Sequence, residues 1–171
     1  NISAASGSPL NVFINAQDIV INNGATISAN NVTLTANNSV TGYGNIIGLG
    51  NNPLVNILAN VFNFFGGIVA NNNTGQGGVI RITANSLILP STGRLEANGD
   101  TDGGSIILAA NTAGSIEING YIQANGGNGR GGSISLTDSQ SILINNATIA
   151  ANGSIDPACG LIIKNFNVLP L

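Results

Sequence analysis

Apolar and polar residues alternate along this chain in short bursts that return again and again. Seven of them read NVFINAQ, NVTLTAN, LVNILAN, VIRITAN, SIILAAN, SISLTDS and GLIIKN. Period-two alternation puts one side of an extended strand in a core and the other toward water, and it does not suit a helix. The second inward residue of each burst is Ile14, Leu34, Ile57, Ile82, Leu108, Leu136 and Ile163, at spacings of 20, 23, 25, 26, 28 and 27 residues.

Two further strands follow each burst. The second supplies inward Ile19 and Ile21, Val40, Phe62 and Phe64, Leu87 and Leu89, Ile116 and Ile118, then Ile142 and Ile144. The third supplies Ile27 and Ala29, Ile47 and Leu49, Ile68 and Ala70, Leu95 and Ala97, Ile122 and Ala124, then Ile149 and Ala151. Three strands of about four residues in 20–28 residues, with no helix to cross over, predict an all-β fold. The reading is a right-handed, single-stranded parallel β-helix, a β-solenoid of three short strands per coil and about six to seven coils. At roughly 4.8 Å per rung the prism is about 30 Å long. Residues 9–171 form the solenoid, and residues 1–8 are an extended segment that contacts a neighbouring subunit.

The corners carry the polar signal. Asn30, Asn51, Asn71, Asn98, Asn125 and Asn152 follow the third strands and form one predicted corner ladder. Asn37, Asn60, Asn85 and Asn111 follow the first strands as a second column. Asparagine and glycine tolerate the left-handed backbone of a sharp turn, and stacked amides bond from rung to rung. The glycine pairs 77–78, 103–104 and 131–132 open three successive coils, so ANGGNGRGGSISL is a corner before a strand. Outward positions are mostly small and polar, but Val20, Ile88 and Leu143 are apolar and fall on one sheet, a candidate lateral contact.

Charge changes the picture by its scarcity. Four basic and seven acidic side chains in 171 residues give a net charge of −3, and there is no His. That balance excludes nucleic acid and anionic lipid as electrostatic partners, and no apolar run is long enough for membrane insertion. Solubility rests instead on 29 asparagines with Ser, Thr and Gly. The lack of Met fits a secreted chain whose N-terminal signal has been removed. Cys159 has no partner for an internal disulfide and reads as a small apolar residue.

Candidate chemistry is sparse. GGNGRGG lacks the Lys-Ser/Thr of a phosphate loop. Asp100 and Asp102 have D-x-D spacing beside glycines, a weak calcium candidate short of the oxygens a full site needs. Arg94 and Glu96 lie two apart on one strand, with Tyr121 and Gln123 one rung on. They form a candidate sugar-contact patch of planar faces and forked donors. The remaining acids are too scattered for paired-carboxylate hydrolysis, so no catalytic residue, metal or cofactor is expected. Only TLT at 33–35 has the form of a threonine array. Six Asn-x-Ser/Thr sequons occur, at Asn1, Asn31, Asn37, Asn72, Asn146 and Asn152.

GGSIILAANTAGSIEINGYIQANGG and GGSISLTDSQSILINNATIAANG resemble the β-helical shafts of filamentous-haemagglutinin-like exoproteins, large bacterial surface or secreted adhesins. The likeness is closest over 77–157, and the secretion-domain NPNG motifs of that family are missing here. The resemblance implies an extracellular, structural or adhesive role. With scarce charge and no evident caps, the expectation is a non-enzymatic subunit that stacks end to end on its own copies into a cell-surface filament, with host-surface or matrix glycans as further partners. The alternatives are a shaft segment of a larger adhesin and a polysaccharide-binding or -cleaving solenoid.

Overall fold

The computed structural model describes residues 1–3, 10–138, 140–155 and 161–165. They form parallel strands, turns and bends, with no helix among them. One sheet is the third face of the prism. It stacks β1 (Ile2–Ser3), β3 (Thr26–Ala29), β5 (Asn45–Gly48), β8 (Gly67–Val69), β10 (Arg94–Glu96), β12 (Tyr121–Gln123) and β15 (Thr148–Ala150). The other sheet wraps the first and second faces. There β2 (Asn11–Ile21), β4 (Asn31–Gly42), β9 (Val79–Leu89) and β11 (Ser105–Ile118) run round the bend without a break. The pair β6 (Leu54–Leu58) and β7 (Val61–Phe64) divides at the bend, as do β13 (Ser133–Asp138) and β14 (Ser141–Ile144). The strand β16 (Leu161–Asn165) adds a last rung to the first face. The expected β-solenoid is therefore present, though the first two strands of most coils are one bent strand.

Register is what makes it a solenoid. Ile14, Leu34, Ile57, Ile82, Leu108, Leu136 and Ile163 pair in order as direct neighbours up the first face. From Leu34 to Leu136 this column is sealed from water. Each rung contributes aliphatic area at about 25 cal/mol per Å², and each backbone group inside the stack finds its partner one rung away. Size is balanced between rungs. Gly42, at φ 141° and without room for a Cβ over the Ile21 carbonyl, lies under Phe64, whose ring stacks on Phe62 within the core.

The third strand of the second coil departs from expectation by one residue. Ile46 and Gly48, not Ile47 and Leu49, face inward: Ile46 pairs with Ile27 below and Ile68 above and is fully buried. Adjacent isoleucines satisfy either alternation, and a one-residue slip turns every side chain over. The register of the neighbouring rungs decides it. A small residue is needed beside Ala29, and Pro53 stands 2.9 Å from where a Gly48 Cβ would be.

The glycine pairs also have a different cause from the one expected. Among the described residues the only positive-φ glycines are Gly24, Gly42 and Gly50, and none belongs to a pair. The pairs serve close approach. A Cβ on Gly104 would lie 2.1 Å from the Gly78 carbonyl oxygen, and one on Gly132 would lie 2.1 Å from that of Gly104. Loops between the third and first faces therefore stack backbone on backbone. Gly77 donates to Asp102, Gly103 to Arg130, and Gly99 to Asn125.

Of the 1–8 segment, residues 4–8 lie outside the described residues; Ile2–Ser3 pair with Ile27–Ser28 as the first strand of the third face. Cys159 and Asp156 also lie outside them.

Gly104→Ala is expected to lower the thermal midpoint far more than Gly24→Ala. The latter meets open space and incurs only the left-handed cost of about 1–2 kcal/mol. Paired thermal melts check this, and equal shifts would refute close approach as the cause.

Candidate functional site

The third-face corner and the Arg94 patch, distinct in the sequence, form one hydrogen-bonded network. Arg94 lies over Gly67 and under Tyr121, and Glu96 over Val69 and under Gln123. The Arg94 guanidinium donates to Glu96 Oε1, with Nε and Nη2 both 2.6 Å away. Asn71 Nδ2 donates to the other oxygen at 3.3 Å. Glu96 is expected to face outward but is buried, its side chain 8% exposed against 56% for Arg94. Gln123 Oε1 accepts from Asn98 Nδ2 at 3.1 Å. Glu96 therefore spends its carboxylate, and Gln123 its side-chain oxygen, inside the network, and Arg94 is the more exposed partner of the ion pair.

Asn71, Asn98, Asn125 and Asn152 make a ladder of an unexpected kind. Each Oδ1 accepts the backbone N–H of the next asparagine up: Asn98 to Asn71 at 2.7 Å, Asn125 to Asn98 and Asn152 to Asn125 at 2.8 Å. These residues are not in the left-handed region; the positive-φ non-glycines described are Ala113 and Asn146. The amide is there to bond, not to turn. Asn30 bonds the other way, accepting from the Leu10 amide. Asn51 is outside the ladder. The pairing of Ile47 with Val69 puts Leu49, not Asn51, level with Asn71, and Asn51 contributes only its carbonyl, to Asn72 Nδ2.

Direct amide-to-amide bonds occur elsewhere, Asn31 to Asn11 at 2.8 Å and Asn85 to Asn60 at 2.7 Å. In the second column, Asn38 rather than Asn37 comes level with Asn60, because Ser39 pairs with Val61. Asn111 lies within β11 where extra residues shift the register between Ala110 and Ser115.

The D-x-D carboxylates stay in the stacked loops. Asp102 Oδ1 accepts the Arg130 amide at 2.8 Å, and Asp100 Oδ1 lies 3.5 Å from Asn128 Nδ2. Among the described residues no three acids, histidines or cysteines come together in a metal-binding group. Val20, Ile88 and Leu143 do share one outward column of the second face. Its order is Val20, Thr41, Asn63, Ile88, Glu117, Leu143, so polar residues separate the three and no continuous apolar stripe results.

Several features escaped the sequence reading. Asn72 is buried, and its amide bonds Asn51, Thr74 and Gln76 to fold the 71–78 loop, which removes that sequon from any modifying enzyme in the folded chain. Asp138 is buried at the bend and accepts from the amides of Gln140 and Ser141. Tyr43 and Phe65 stack at the corner after the second face, centroids 4.6 Å apart. The signal was available: each of these rings directly precedes a corner glycine, in YG and FG. Phe13 is 73% exposed on the first face. Asp18 accepts from Ser39 Oγ at 2.6 Å and Asn38 Nδ2 at 2.7 Å, and these two bonds hold its carboxyl below the usual carboxylate range.

No family model matches the chain, and neither a curated protein nor a solved structure is found to be similar to it.

Asn98→Ala is expected to cost about 1–3 kcal/mol, because it strands the Asn125 amide. Asn51→Ala should stay within roughly 0.5 kcal/mol. Denaturant titration of both checks the ladder and its membership. A folded-state pKa held low makes Asp18 a source of stability above the ordinary carboxylate pKa, lost as pH falls through the lowered value. Asp18→Asn should therefore flatten the acid limb of a stability-against-pH curve below about pH 4, and an unchanged limb would remove Asp18 from the account.

Proposed function

We propose that the chain is an extracellular structural or adhesive β-solenoid that extends end to end on its own copies into a cell-surface filament. The observation that carries this reading is the state of the last coil. Leu161 and Ile163 continue the inward columns of Ile134 and Leu136, yet are 49% and 47% exposed, and among the described residues β16 is the edge of its sheet. An open parallel edge with exposed core residues is a template for another strand.

The opposite end offers a matching edge in β2. Its inward Val12, Ile19 and Ile21 are already buried, so the two ends differ in apolar exposure. They agree in register. Phe13 and Ile162 stand at opposite ends of one outward column, running Phe13, Thr33, Asn56, Arg81, Ile107, Ser135, Ile162. A following copy in register would bring its β2 above β16, with Phe13 against Ile162.

Strand occupancy supports the same joint. Among the described residues the first and third faces each hold seven strands, with β1 of the third face one rung below β2 and β16 of the first face one rung above β15. Two copies would share a rung, β16 from one and β1 from the next. The shaft of a larger adhesin uses the same geometry with a covalent joint. The resemblance of 77–157 to haemagglutinin-like exoproteins supports the extracellular setting for both.

Purified chain is expected to form filaments under negative-stain electron microscopy, with an axial repeat of seven rungs, roughly 34 Å. Ile162→Asp should abolish them without loss of β-structure by circular dichroism. A monodisperse monomer across a wide concentration range would defeat the homopolymer.

A further inference from the structure

A groove of about 480 Å³ runs along the corner between the second and third faces, lined by Asn63, Phe65, Ile88, Pro90, Ser91, Asn119, Asn145 and Asn146. It shares no residue with the Arg94 patch or with the β2 and β16 edges. That volume is within the usual range for small-molecule sites. Phe65, Ile88 and Pro90 give it apolar surface and the asparagines and Ser91 give it amides and a hydroxyl, with no charged side chain among the lining residues.

Rung stacking gives the groove its order. Phe65 donates its amide to Gly42, Asn119 to Leu89 and Asn145 to Ile118, so the corner residues climb one rung at a time. Tyr43, 59% exposed, extends the ring column one rung beyond the groove by stacking on Phe65 at an interplanar angle of 19°. Asn119 Nδ2 is committed to Glu117 Oε1 at 2.8 Å, and no donor among the described residues reaches its Oδ1.

Asn63 provides the second, independent observation. Its Oδ1 is buried without a hydrogen-bond partner, the sole such side-chain atom among the described residues. An unpaired buried acceptor costs about 1–3 kcal/mol and calls for an explanation, of which an absent donor is one. Asn63 lines the groove, so a turn of its amide toward the opening would let a bound hydroxyl supply that donor.

We infer that this corner binds a neutral polysaccharide lying along the solenoid axis. Pyranose rings carry apolar C–H faces for Phe65, Ile88 and Pro90. Their hydroxyls both donate and accept, as the asparagine amides do. The carboxylate of Glu117, one rung above Ile88 on the second face, disfavours an anionic chain.

The test is titration calorimetry of the purified chain with neutral hexasaccharides (β-1,4-glucan and β-1,4-mannan) and with an oligogalacturonate. At least one neutral probe is expected to bind, and the acidic probe at least ten-fold more weakly. Asn145→Ala, at the exposed end of the groove, should weaken neutral binding five-fold or more with an unchanged melting temperature. Asn63→Leu removes the unpaired acceptor, so it should leave stability equal or higher while binding falls; a purely structural asparagine would leave binding untouched. Arg81→Ala, exposed on the first face and outside the groove, should bind as the parent does. Absence of binding by both neutral probes at millimolar concentration, preference for the acidic one, or full binding by both groove variants would overturn the assignment.

Discussion

Hydrogen bonding between parallel rungs at fixed register is the constraint on which this molecule depends. A coil on its own has three strands of a few residues and nothing to pair with. Only the coil beneath it supplies partners for its amides and carbonyls, and only the same register puts aliphatic side chain over aliphatic side chain. Parallel strands usually need a helical crossover of a dozen or more residues. Here the chain returns to its starting face after one turn round a shared core, so bends and loops replace the helices.

That constraint also explains how so little charge suffices. Corners and outward faces are places where side chains repeat at rung spacing, and a short amide or hydroxyl can reach the equivalent group one coil away. The Asn71–Asn152 ladder, the Asn60–Asn85 and Asn11–Asn31 pairs, and Ser133 on Ser105 all bond between neighbouring rungs. Like-charged residues stacked this way would repel. Where acids do occur, each described carboxylate that bonds does so to an uncharged donor or to Arg94, never to another acid.

Much of this was legible in the sequence, because period two and a coil-length repeat are strong signals when helices are absent. The inward column of the first face was readable residue by residue, from Ile14 to Ile163. Legibility failed where two local solutions were equally good. Ile46 and Ile47 both suit an inward position, and the choice between them rests on Ile27 and Ile68, distant in sequence. Asn51 went astray for the same reason, since counting asparagines cannot detect a loop that is two residues longer. The glycine pairs were placed correctly but explained wrongly, because a close approach of two backbones has no signature in one strand. Glu96 looked exposed because alternation tells which way a side chain points, not whether Asn71 and Gln123 cover it. The Asn63 groove was invisible, being assembled from four coils.

Cross-rung disulfides give the most direct measurement of the register, in a Cys159→Ser background. Thr83 and Ala109 are outward partners on adjacent rungs, and strands about 4.8 Å apart are within disulfide reach. Thr83→Cys with Ala109→Cys should oxidise rapidly to an intramolecular bridge, and Thr83→Cys with Leu108→Cys, one residue out of register and facing the core, should not. Equal or reversed yields for the two pairs would mean that the rungs are not stacked as described, and the ladders, the shared end rung and the corner groove would fall with them.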